Sequence, residues 1–67
     1  MTTQEMLFGT RAHPVNQELM AQAVGTHRTT IGRYRKNVDG IPLGVLKRII
    51  RYQGLTKEDV WKMVQER

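Results

Sequence analysis

Apolar positions recur at helical spacing along this chain and stop at glycine or proline, which predicts a string of short helices. Sustained alternation of apolar and polar residues, the mark of a half-buried strand, does not occur. The first segment, Thr3 to about Phe8, carries Met6, Leu7 and Phe8 and stops at Gly9, with Thr2 or Thr3 to cap it. His13-Pro14 then breaks the chain, because a residue before proline is biased away from helical dihedrals. The second segment runs from Asn16 to Val24. Asn16 can accept a free amide of the first turn, and Leu19, Met20, Ala23 and Val24 form the apolar stripe. Gly25 ends it. The third segment opens after Thr26 and reaches about Lys36. Its apolar members are Ile31 and Tyr34, so most of its surface is left free. A turn at Asn37-Val38-Asp39-Gly40 follows. The fourth helix starts at Pro42, a good first helical residue, has Val45, Leu46, Ile49 and Ile50 as its stripe, and ends at Gly54. The fifth opens on Thr56-Lys57-Glu58-Asp59, a capping box with Asp in place of the usual Glu or Gln, and its apolar face is Val60, Trp61 and Val64.

The 67 residues, 39% of them apolar, fill one core and no more, so the expectation is a single all-α domain of four to five helices over residues 1–67. Cysteine is absent, which removes disulfides and thiolate metal sites. His13 and His27 have no acidic cluster to complete a metal site, so neither a metal nor another cofactor is expected. No apolar run approaches the roughly 20 residues that span a bilayer. The opening MTTQEMLFGTRAHP lacks the basic start and long apolar stretch of a secretory signal. A soluble protein of the cytoplasm follows from these two readings.

Charge changes the picture. The formal net charge is +5, yet residues 1–25 carry Arg11 against Glu5 and Glu18, and residues 52–67 are balanced. The excess sits in residues 26–51, where Arg28, Arg33, Arg35, Lys36, Lys47, Arg48 and Arg51 face only Asp39. Such asymmetry points to a polyanionic partner, nucleic acid first and anionic lipid second, against the plainer reading of a solubilising surface. Lipid is disfavoured, because the cations fall between the stripes of several short helices instead of along one amphipathic helix.

The two helices around Gly25 hold the informative residues. Ala21 stands where the helices would cross, and a small side chain lets backbones approach. Ile31 and Tyr34 would anchor the second helix on Met20 and Val24. Its outer face then offers His27, Arg28, Thr29, Arg33 and Lys36, donors and cations suited to base edges and phosphates. Ala21, Gly25 and Ile31, with Gln17 at the head of the first helix, resemble the helix-turn-helix of the phage Cro/repressor family. The string Ala23-Val24-Gly25 and the run Ile31-Gly32-Arg33-Tyr34-Arg35-Lys36 look most like lambda-type CII activators. The resemblance covers about residues 15–64 and places the motif at about 17–36. Thr26 stands in place of the family's usual aliphatic residue. Gly32 lies inside the recognition helix, and the long C-terminal extension of CII-type proteins is absent.

The resemblance implies a lambda-repressor-like fold and a sequence-specific, double-stranded DNA-binding regulator of phage or prophage type. It would work as a homodimer in a bacterial host cell, with the helix at about 27–36 in the major groove. His27, Arg28, Thr29, Arg33 and Lys36 become candidates for base contacts, and Gln17, Thr30, Arg35 and Lys47 for phosphate contacts. The dimer surface is expected on the last helix, through Trp61 and Met63, with Met6-Leu7-Phe8 as the next choice. The competing reading is a protein-interaction module of the same fold that binds an acidic partner protein. Catalysis finds no support: there is no nucleophile grouping and no glycine-rich phosphate loop. Glu58 and Asp59 are adjacent on a helix and point apart. A small-molecule substrate is not expected.

Overall fold

A computed structural model describes residues 2–66. It is all-helical, with five α-helices: α1 Thr3–Phe8, α2 Gln17–Val24, α3 Arg28–Lys36, α4 Leu43–Gln53 and α5 Lys57–Gln65. The turn before α4 is a single 3₁₀ turn over Val38–Gly40. Among the described residues the one β-type pairing is an isolated bridge between Gly9 and Pro14. No helix of these residues is long and apolar enough to cross a membrane.

Helix ends follow local chemistry. The Asn16 side chain accepts the Leu19 amide at 3.0 Å and starts α2. Thr2 with Glu5 and Thr56 with Asp59 form reciprocal capping boxes at α1 and α5, so aspartate does serve in the third position of the second box. Pro42 lies one place earlier than expected, as the cap residue of α4 and not its first turn. The carboxyls of Glu5 and Asp59 are held below their ordinary range, chiefly by the backbone N–H of the cap threonine and then by its hydroxyl. A carboxyl lowered on folding stabilises the fold at pH above its unfolded value, and that contribution is lost as pH falls through the lowered value. The melting temperature is therefore expected to fall on acidification below the ordinary carboxylate range. Asp59→Asn should flatten part of that fall in a series of melts against pH, and an unchanged profile would count against the box.

Helix α2 is the centre of the molecule, packed on α3 on one side and α4 on the other. Leu7, Phe8, Met20, Ala21, Val24, Ile31, Ile41 and Ile49 make the core, with Tyr34, Val45, Leu46, Ile50 and Met63 packed around it. Being flanked on two sides turns α2 about its axis relative to the expected stripe. Met20, Ala21 and Val24 are buried, whereas Leu19 and Ala23 are exposed. Ala21, 3% exposed, lies on the packed side of α2. Ala21→Leu is expected to overpack that contact and cost about 1–3 kcal/mol, read as a lower denaturant midpoint. An unchanged midpoint would mean that the helices do not meet there.

Two further expectations are corrected by the packing. Met6, Leu7 and Phe8 are core residues, 7%, 0% and 0% exposed, so the N-terminal cluster is not a free apolar surface. On α5 the inward residues are Val60 and Met63; Trp61 faces out, and Val64, though largely exposed, borders the same groove as Val60 and Met63. Helix α5 packs on α1, and that contact selects Met63. The end of α5 is tied to the start of α1 by Glu66, whose Oε2 accepts from the Thr3 amide at 2.6 Å and its hydroxyl at 2.9 Å.

Candidate nucleic-acid interface

Helix α3 is anchored along one edge only. Ile31 is fully buried and Tyr34 half-buried, which turns the opposite side of the helix to solvent. Thr29, Gly32, Arg33 and Lys36 recur at helical spacing on that opposite side. Arg28 and Arg35 lie on one flank and Thr30 on the other. Arg28, Thr29, Arg33 and Lys36 are exposed, while Thr30 and Arg35 are half-buried.

The turn that presents α3 is built from two local devices. Gly25 closes α2 in the left-handed region at φ 75°, and the Thr26 amide returns to the Ala21 carbonyl at 2.9 Å. His27 then caps α3. Its Nδ1 accepts the Thr29 amide at 3.3 Å and lies 2.9 Å from the Thr29 hydroxyl. A backbone N–H can only donate, so Nδ1 carries a lone pair and the ring proton sits on Nε2. The exposed His27 ring thus offers one outward donor, and the Thr29 hydroxyl in contact with it keeps acceptor lone pairs beside the Thr29 methyl.

Five of the candidate residues meet in one place. An open cleft of about 640 Å³ beside α3 is lined by Gln17, Thr29, Arg33, Arg35 and Lys36, together with Gly32 and Gln4. Gln17 reaches it from the first turn of α2, its Oε1 over Gly32. His27 and Arg28 border a separate shallow hollow of about 230 Å³ with Glu18, Gln22 and Thr26, at the turn end of α3. Thr30 and Lys47 stand outside this cleft, Lys47 exposed on α4.

Gln4 was not foreseen. Its Nε2 donates to the Arg35 carbonyl and holds α1 against the C-terminal end of α3. The two residues are 31 apart in the chain, and no local pattern signals such a link. Arg48 also has a different part from its charge-based reading. Its Nη1 donates to the Val24 carbonyl at 3.1 Å, where a cation suits the negative end of α2. Among the described residues no three His, Cys, Asp or Glu side chains gather as metal ligands would.

No family model matches the chain, no curated protein matches it, and no solved structure matches it.

Proposed function

We propose that the chain is a sequence-specific, double-stranded DNA-binding regulator of phage or prophage type, acting in the cytoplasm of a bacterial host. In this reading α2, the turn at Gly25 and α3 form a lambda-repressor-like helix-turn-helix. The observation that carries it is the stripe of exposed Thr29, Arg33 and Lys36 around half-buried Gly32, opposite the buried Ile31 edge of α3 and flanked by further cations. A helix with its side chains is about 10–12 Å across and the major groove about 12 Å wide, so a helix held by one edge can lie in it. Arg33 reads a base edge, with guanine O6 and N7 as its natural partners, and Lys36, Arg28, His27 and Thr29 supply the remaining base contacts. Gln17 and the N-terminal amides of α2 hold phosphate, with Thr30, Arg35 and Lys47.

One such domain covers a half-site, so the working form is a homodimer. Trp61, 61% exposed on the outer side of α5, and Val64, 68% exposed at the rim of the groove beside Val60 and Met63, supply its apolar surface.

Selection of bound duplexes from a random pool tests both statements. The expected consensus is palindromic, with half-sites about 34 Å apart. On that site Arg33→Ala should cost about 1–3 kcal/mol and relax preference at one base pair, whereas Lys47→Ala should weaken specific and random DNA alike. A pool without enrichment would reject the DNA reading in favour of a basic module that binds an acidic protein. An asymmetric consensus bound one-to-one would reject the dimer.

A further inference from the structure

Gly32 sits inside α3 with ordinary helical dihedrals; the positive-φ glycines among the described residues are Gly9, Gly25 and Gly54. Backbone freedom therefore does not explain it. Nor does internal packing. A Cβ built on Gly32 meets only the Gln17 Oε1, at 3.4 Å, which is ordinary van der Waals contact. A glycine in a helix interior costs about 1 kcal/mol against alanine. Here nothing inside the molecule offsets that loss. A bare backbone at this point leaves room, beside the Gln17 amide, for something that approaches from outside.

The surroundings state what that something is. Gly32 floors the cleft of about 640 Å³, and its other lining residues are Gln4, Gln17, Thr29, Arg33, Arg35 and Lys36. They present amides, a hydroxyl and three cations, and no carboxylate lines the cleft. The walls are held in place. Arg35 is half-buried, and Gln4 is pinned by the bond from its Nε2 to the Arg35 carbonyl. An amide NH₂ carries two protons, so Gln4 keeps one donor for the cleft.

We propose that this cleft seats one phosphodiester group of a nucleic-acid backbone, floored by Gly32 and gripped by Gln4, Arg35, Lys36 and the Nε2 of Gln17. The proposal rests on the DNA-binding reading, extends it at α1 and revises it at Lys36. Helix α1 takes part in binding through Gln4, and Lys36 serves the backbone instead of a base.

The test is equilibrium binding to a random-sequence duplex over a range of salt, with thermal melts of each variant alongside. Gly32→Leu places a side chain in the floor of the cleft while improving helix propensity, so its melting temperature should hold or rise. Its affinity should fall about tenfold, and the slope of log K against log salt should become shallower by about 1, the loss of a single phosphate contact. Arg35→Gln should give the same change in slope, and the double variant should show no further change. Gly44→Ala, on α4 where nothing lies within 4 Å of an added Cβ, should bind as the unmodified protein does. If Gly32→Leu does not melt cooperatively, Arg35→Gln carries the comparison by itself. Unmodified binding that is unchanged in Gly32→Leu and Arg35→Gln would overturn the seat and leave the DNA reading intact. Failure of the unmodified protein to bind duplex at any salt would overturn both.

Discussion

Raising salt from about 50 to about 200 mM is expected to weaken duplex binding by about a thousandfold. The basis is the concentration of charge. Arg28, Arg33, Arg35, Lys36, Lys47 and Arg51 lie in residues 26–51 with Asp39 as the only acid, and Arg48 there is engaged by the Val24 carbonyl. Each phosphate neutralised by such a cation releases condensed counterions, and the slope of log K against log salt is about −0.9 per contact. On a random duplex no base is read, so the base-directed cations meet phosphate as well, and about six contacts give a slope near −5, which over a fourfold change in salt is roughly three decades. Fluorescence anisotropy with a labelled random duplex measures this directly. A slope near zero would mean that these side chains are a solubilising surface, and the proposed function would go with it.

Gly9→Ala is expected to be the most damaging small substitution in the fold. Gly9 closes α1 at φ 83° and ψ 172°, a region that side-chain-bearing residues essentially avoid. An added Cβ would strike the His13 carbonyl oxygen and come within 2.9 Å of the Val15 nitrogen. Both are backbone atoms of a reversal held by the bridge from Gly9 to Pro14 and by the Val15 amide on the Phe8 carbonyl at 3.1 Å. The reversal cannot open without releasing the ends of α1 and α2, and Leu7 and Phe8 are fully buried beside it. The expected cost is about 3 kcal/mol or more, a large share of the roughly 5–15 kcal/mol that stabilises a domain. Gly25→Ala is the informative comparison. Its φ of 75° is also positive, but a Cβ there meets only the Arg48 Nη1 at 3.6 Å, so the cost is the left-handed backbone alone, about 1–2 kcal/mol. Urea unfolding of the two variants separates the cases, and equal midpoints would show that the reversal after α1 is looser than described.

The number of helices and their ends were legible in the chain because caps and stops act over a few residues. Asn16, the Thr56–Asp59 box and the terminating Gly9, Gly25 and Gly54 are each read from their immediate neighbours, and each stands where the pattern places it. The cation-rich surface of α3 was legible too, since Ile31 and Tyr34 leave only one way for so sparse a helix to pack. Rotation of the other short helices was not. In α2, four apolar residues define a stripe loosely; Ala21 is buried as its place at the helix crossing implies, but packing between α3 and α4 left Leu19 and Ala23 outside. In α5, packing on α1 took Met63 inward and left Trp61 out, against the stripe. The same holds for polar partners. Arg48 found the Val24 carbonyl and Gln4 the Arg35 carbonyl across separations of 24 and 31 residues. Such bonds depend on which helix ends the packed core brings together, and that choice is made by the whole arrangement of apolar surfaces, which no segment of the chain carries by itself.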